Sequence, residues 1–520
     1  MKSIKMRGVV AAVAGALMFG FGANAMADST DDIVNALMAK GVLTEEEGAL
    51  LLKGREGEKA GNAKKVKVTD KNGSFTLESG DGKNTMALTG RLHFDARSID
   101  ANASGETEAN EASRHAASLG DNFEIRRARI GVKGKMFEHY DYEVIANAVG
   151  SNTNIVDVAY VNAGMFQQAQ LKLGQFKQPF NLEEYGTSSN NIDFMERSYI
   201  NQITPAKKPG AMIHGILPKG FTYAGSVYQQ NAFGETDAAS TGKGFAGRLT
   251  ANVAELAGWN TKESVLHVGV AGFDSEYGVT PAGSSKGHAT LADTNGTVFA
   301  FRTEGRGLTP AYRMQVGGDV TGGAGSSVLS NESSIVNNKA YGLELAAAHG
   351  PFKIQGEFTA QDFDAKTPAT SGDAKNLVEK TAKADVQAFY VEALYMLTGE
   401  NYADWYKNGA WGGIKPKNNF EIETGKGRGA WEIGLRYDEF SVDNVTVSGA
   451  GSRIQGTQDT SKNGGAKTYT AGIKWQLTPN MRVLANYSHT KFDNAFTAVD
   501  TSLTNISKED LLMVRTQFSF

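Results

Sequence analysis

The chain has 520 residues, no cysteine, 61 glycines and only 10 prolines, with 53 basic side chains against 57 acidic ones. A 40% hydrophobic share that includes 26 Phe and 17 Tyr is too apolar for a disordered chain, and past the amino terminus no segment offers the ~20 apolar residues of a membrane-crossing helix. The missing cysteines exclude a disulfide scaffold and thiolate metal sites, and a formal charge of -4 gives no footprint for nucleic acid.

Residues 1–27 read as a secretory signal peptide. Lys2, Lys5 and Arg7 precede an apolar run from Gly8 to Gly22, and Ala25-Met26-Ala27 is a cleavage motif with Asp28 as the mature start. Residues 28–67 read as a periplasmic helical hairpin and polar linker. Asp31 or Asp32 caps a helix through Ile33, Leu37 and Met38 that stops at Gly41. Thr44 with Glu47 is a capping box that opens a second helix.

Residues 68–520 read as one β domain, in which the apolar pattern has period two from about residue 72 onward. Ala128, Ile130, Val132 and Met136 alternate with Arg127, Arg129, Lys133 and Lys135. Trp431, Ile433, Leu435 and Tyr437 alternate with Glu432, Arg436 and Asp438, and Leu512, Val514, Phe518 and Phe520 with Arg515 and Gln517. Such strands have one apolar and one polar face. A soluble sandwich alternates too, but these segments run about 9–12 residues, the length of a tilted membrane strand, whereas soluble strands have about 5–6. Aromatic clusters such as Tyr140/Tyr142, Tyr395 and Tyr402/Trp405/Tyr406 suit interfacial girdles. The expected fold is all-β: a transmembrane antiparallel β-barrel of about 16 strands, 18 being possible, behind the short helical segment. Such a barrel holds a water-filled lumen. Its longest loops fall near 100–120, 275–296, 321–338, 362–383 and 443–466. The final Phe520, on an alternating strand, resembles the signal read by the outer-membrane assembly machinery.

Several strings in chain order resemble the phosphate-selective porin family of the porin O and P type. Phe123-Glu124-Ile125-Arg126-Arg127-Ala128-Arg129 is the first, followed by Gly174-Gln175-Phe176-Lys177-Gln178-Pro179-Phe180, Thr187-Ser188-Ser189 and Phe194-Met195-Glu196-Arg197. Leu397-Thr398-Gly399-Glu400, Gly429-Ala430-Trp431-Glu432 and Asn486-Tyr487 are similar to the same family. The resemblance implies a 16-stranded homotrimeric porin of the Gram-negative outer membrane that passes small anionic or hydrophilic solutes. It matches Arg91, Arg126 and Arg127 to an arginine ladder and Asp157 to an acidic residue near the binding site. The family's central lysine does not carry over, because Leu182-Glu183-Glu184-Tyr185-Gly186 stands there.

The expected pore-lining, anion-steering residues are therefore Arg91, Arg126, Arg127, Arg129, Lys133, Arg436 and Arg515. Guanidinium suits the task because it stays charged and grips oxyanions in two-pronged fashion. Residues 178–209 do not clearly alternate and are expected either to fold inward as a constriction loop carrying Glu183, Glu184, Arg197, Lys207 and Lys208 or to form an ordinary extracellular loop. The alternatives are a general, weakly selective porin, a barrel enzyme and a β-rich surface adhesin. For the enzyme, Gly283-Ser284-Ser285-Lys286-Gly287 fits G-x-S-x-G but lacks the helix that a nucleophile elbow needs. No catalytic set, cofactor or metal is implied.

Overall fold

The structure is a computed structural model. It describes a few residues between 34 and 53, then residues 65–71, 74–103, 122–149, 155–230, 242–279, 297–303, 312–316, 334–367, 380–448, 453–455, 463–496 and 506–520. Residues 1–27, expected to be a signal peptide, lie outside the described residues. The chain divides into two compact units, one of residues 1–67 with 78–82, the other of residues 68–77 with 83–520. In the first unit the Thr44–Glu47 box is formed: the Thr44 N–H donates to the Glu47 carboxylate at 2.9 Å, and the Glu47 N–H donates to Thr44 Oγ1 at 3.2 Å.

The second unit is built on sixteen antiparallel barrel strands. They are β1 (Thr85–Ala103), β2 (Asn122–Met136), β3 (Tyr140–Asn147), β4 (Val156–Phe166), β5 (Ala169–Lys177), β6 (Lys207–Ile216), β7 (Phe221–Gln229) and β8 (Lys243–Asn252), then β9 (Ser264–Val279), β10 (Ser334–His349), β11 (Phe352–Thr367), β12 (Lys380–Met396), β13 (Ala430–Ser448), β14 (Gly464–Thr478), β15 (Met481–Phe496) and β16 (Ile506–Ser519). Each pairs with its neighbour, and β16 pairs back onto β1 from Ile506↔Ala103 to Ser519↔Arg91. Two short strands, Lys67–Lys71 and Ser74–Glu78, bring the sheet to eighteen strands without entering the ring. At the seam, Phe520 and Gly90 exchange backbone hydrogen bonds of 2.9 and 3.1 Å. A side chain at Gly90 would meet the Phe520 ring 2.4 Å away, so glycine makes room for it.

Alternation separates two environments. Leu92, Ile130, Leu173, Leu343, Leu435 and Leu512 are exposed on the outer face, where closure leaves no unpaired backbone for lipid to solvate. Trp431 stacks on Trp475 at 5.0 Å in a lower aromatic band, and Tyr437 lies 5.1 Å from Tyr469 in an upper one. Tyr402 and Tyr406, expected in a girdle, instead lie in a connection folded inward, where Tyr402 is buried against Trp411.

The wall is uneven. Strands β3 to β8 have 8–11 residues, whereas β9 to β16 have 14–19. The tall strands extend into the ends of the loops expected near 275–296, 321–338, 362–383 and 443–466. Turns at one end are short, such as 137–139, 167–168, 350–351 and 479–480. The exceptions at that end are the connection 253–263, which holds the short helix Val253–Leu256, and the long connection 397–429 between β12 and β13.

Candidate functional site

Residues 178–206, between β5 and β6, fold into the lumen and are almost wholly buried. The segment enters through an irregular turn, Asn181–Gly186, in which Asn181 takes a φ of 62°. The Glu357 carboxylate on β11 accepts the N–H groups of Leu182 and Glu183 at 2.6 and 2.8 Å. Further along, Asp193 pairs with Lys353 at 2.6 Å and Lys474 at 3.4 Å. Arg482 donates to the Ile192 carbonyl, Gln517 to the Asn190 carbonyl, and the Tyr199 N–H to Asp438. The segment is thereby tied across the lumen to β11 and β13 through β16.

Charged anchors do most of this work. Glu196 receives a two-pronged bond from Arg126 at 2.7 and 3.0 Å and another from Arg515 at 2.8 Å. Arg515 also grips Asp95 at 2.6 and 2.7 Å and donates to the Met195 carbonyl. Arg436 reaches Glu183 at 3.3 Å and the Glu196 carbonyl at 2.9 Å. Burial works against ionising Glu196, yet Arg126, Arg515 and Arg127 hold its carboxyl well below the usual range. Asp193 is lowered in the same way by Lys353 and Lys474 against its burial. For Glu184, burial is outweighed by Arg197, 2.9 Å away, and Lys177, and the carboxyl is pulled down to about 2. For Glu183 burial prevails over Arg436, and its carboxyl is pushed up.

These contacts correct part of the sequence reading. Arg436 and Arg515 point inward, but both side chains are 0% exposed and serve as anchors for the loop, not as lining of open water. Arg126 is an anchor too. Period-two alternation would turn Arg126 outward beside Arg127. The pairing of β1 with β2 jumps from His93↔Arg127 to Phe94↔Ile125, and this bulge turns both guanidiniums toward Glu196. Lys207 and Lys208 belong to β6, not to the loop. Lys207 binds Asp157 at 2.6 Å, and Lys208 is buried and donates to the Gln230 carbonyl. Lys133 is exposed, opposite Glu143, outside the cavity described next.

The connection 397–429 enters from the short-turn end and meets the loop. Tyr402 donates to Glu432 at 2.8 Å, Tyr406 lies 2.7 Å from His267, and Arg248 donates to the Gly409 carbonyl at 3.0 Å. Trp411 bridges to Thr187, and its ring lies 4.4 Å below the Lys353 ammonium. Leu182 and Phe194 of the loop pack with Tyr402 and Trp411. Alternation cannot reveal such a segment. Its sequence signal is the absence of period two together with Gly399, Gly409, Gly425, Gly427 and Gly429, all at positive φ.

With these two segments packed against the far strands, a cavity of about 750 Å³ remains beside β1 to β6. Arg91 comes from β1, Arg127 and Arg129 from β2, Lys172 and Lys177 from β5, Arg197 from the loop and Lys207 from β6. Seven cationic groups thus face three carboxylates, Glu143, Asp157 and Glu184. Asp157 binds Arg129 at 2.9 Å as well as Lys207, and Glu184 binds Arg197. Among the described residues, Arg91 and Lys172 have no carboxylate within ion-pair distance. Arg91 and Arg129 are direct cross-strand partners. Like charges so placed repel, and the Nε–H of each guanidinium is buried with no acceptor. An anion in the cavity would relieve the repulsion. Of the sequence candidates, Arg91, Arg127, Arg129, Glu184, Arg197 and Lys207 meet here. Lys177 also lines the site and fastens the loop by donating to the carbonyls of Glu184 and Thr187.

The family model for phosphate-selective porin O and P matches residues 86–520. The chain belongs to this porin family. Porin O of Pseudomonas aeruginosa is 27% identical over 493 residues, covering 91% of this chain and 93% of that protein. Among solved structures, OmpT of Vibrio cholerae is similar at a TM-score of 0.45 and 10% identity, over 84% of this chain and 98% of its own. The anion-selective porin from Comamonas acidovorans is similar at a TM-score of 0.42 and 10% identity, over 84% and 100%. As a member of that family the chain is an outer-membrane porin, a channel rather than an enzyme.

Proposed function

We propose that anions cross this porin through the cavity beside β1 to β6, with Arg91, Arg127 and Arg129 steering them and Lys172 completing the field. The observation that carries this reading is the opposed Arg91–Arg129 pair on the wall of a cavity where seven cationic groups face three carboxylates. Phosphate and other oxyanions fit the same donors. Glu184 and Asp157 neutralise Arg197, Lys207 and part of Arg129, so the reading is of a passage favouring anions in general, not a tight phosphate trap. Zero-current potentials in a planar bilayer under a KCl gradient test it. The native porin should show anion selectivity, and Arg91→Gln with Arg129→Gln should bring the permeability ratio severalfold closer to one. A cation-selective native channel overturns the reading.

The same reading includes a homotrimer, cleavage after Ala27 and recognition of the strand ending in Phe520 by the assembly machinery. The low wall β3 to β8 supports the trimer. At ~3.4 Å per residue and a ~40° tilt it barely covers an apolar band of ~25 Å, so it is the face suited to stand against another copy. Cross-linking from the outer ends of these strands should trap trimers.

A further inference from the structure

The lumen of a membrane barrel is ordinarily polar, but here strands β3 to β5 turn apolar side chains inward. Ile145, Val158, Tyr160 and Phe176 line the cavity together with Tyr185 of the loop. Phe176 packs with Met212 and Ala224, while Tyr160 and Tyr185 pack over that cluster and keep part of their surface open. Arg91, Arg127, Arg129 and Arg197 line the same cavity from β1, β2 and the loop. Lys172 rises out of the patch itself. Its ammonium lies 4.4 Å from the Tyr160 ring centre and 5.9 Å from that of Phe176, and no carboxylate lies within ion-pair distance among the described residues. A cation held on aromatic faces keeps its charge available to a ligand.

A compact, strongly hydrated inorganic ion uses only the charged side of such a cavity. A carboxylate carried on a flat apolar body uses both sides: its oxygens reach Lys172 or the Arg91–Arg129 pair while its ring lies on Tyr160 and Tyr185. We infer that the passage discriminates in favour of aromatic carboxylates over small aliphatic carboxylates of the same charge, because the cationic donors and the Ile145–Val158–Tyr160–Tyr185 patch share one cavity. The inference rests on the anion-passage reading and adds the class of solute.

Benzoate and acetate are the probes, since they share the carboxylate and differ in the ring. Chloride current through the full-length porin in planar bilayers is titrated with each. Benzoate should halve the current at about one tenth of the acetate concentration, the worth of one well-placed ring contact. Tyr160→Ser with Tyr185→Ser should bring the benzoate-to-acetate ratio close to one, and Tyr160→Phe with Tyr185→Phe should keep it. The ratio is taken within each protein, so a general change in conductance cancels, and heat-modifiable gel migration shows that each variant is folded. Equal potency of the two probes in an anion-selective native channel overturns this inference alone. Cation selectivity under the KCl gradient overturns the reading beneath it.

Discussion

Glu184 is buried, and burial alone would keep its carboxyl protonated; Arg197 and Lys177 hold it ionised, with a pKa of about 2 against an ordinary 4.5. Because the folded value is the lower one, the stabilisation is complete above pH 4.5 and is lost as pH falls toward 2. Glu183, shifted upward by burial, acts in the opposite sense, so a comparison of variants isolates Glu184. Native porin should lose resistance to heat dissociation between pH 4.5 and 3 relative to Glu184→Gln, which should be less stable at pH 7 and flatter across that range. Gel migration after heating at each pH measures this. Equal slopes for the two proteins would show that the Arg197 pair does not set the loop's acid limit.

The two inward segments differ in how far sequence could reveal them. Residues 178–206 lack alternation and carry ion-pairing side chains, and these features led to a constriction loop. The exact end of that loop was not legible, because Lys207 and Lys208 are as polar as what precedes them and only the pairing Lys177↔Lys207 assigns them to a strand. In the connection 397–429, Tyr402, Trp405 and Tyr406 read from sequence as girdle aromatics, since such side chains look alike whether they face lipid or fill a lumen. The barrel itself was legible from period two at Trp431–Tyr437 and Leu512–Phe518, where every second side chain meets lipid. Alternation puts Arg436 and Arg515 on the inner face, but a one-residue pattern cannot report that Glu183, Glu196 and Asp95 meet them from distant positions. Replacing residues 401–427 with a short Gly/Ser turn should open the half of the lumen now filled by Tyr402, Tyr406 and Trp411. Single-channel conductance should rise and anion selectivity should fall. Unchanged conductance with folded protein would mean that the loop alone closes that half.

At the scale of the whole molecule, charge is divided by burial. The Asp95–Arg515–Glu196 cluster lies in protein, with side chains 0–7% exposed, and the Arg91–Arg129 cluster opens on a cavity of about 750 Å³. Dissolved ions screen the second far more than the first, with a Debye length of ~10 Å at 0.1 M and ~3 Å at 1 M. Anion selectivity measured at a fixed concentration gradient should therefore weaken severalfold between mean salt of about 0.1 M and 1 M. The temperature at which the barrel dissociates on gels should stay nearly constant over the same range. A parallel fall in both would place the anchors in contact with solvent. The uneven burial of like ion pairs gives the porin a filter that dilute surroundings sharpen and brine blunts, set in a frame indifferent to either.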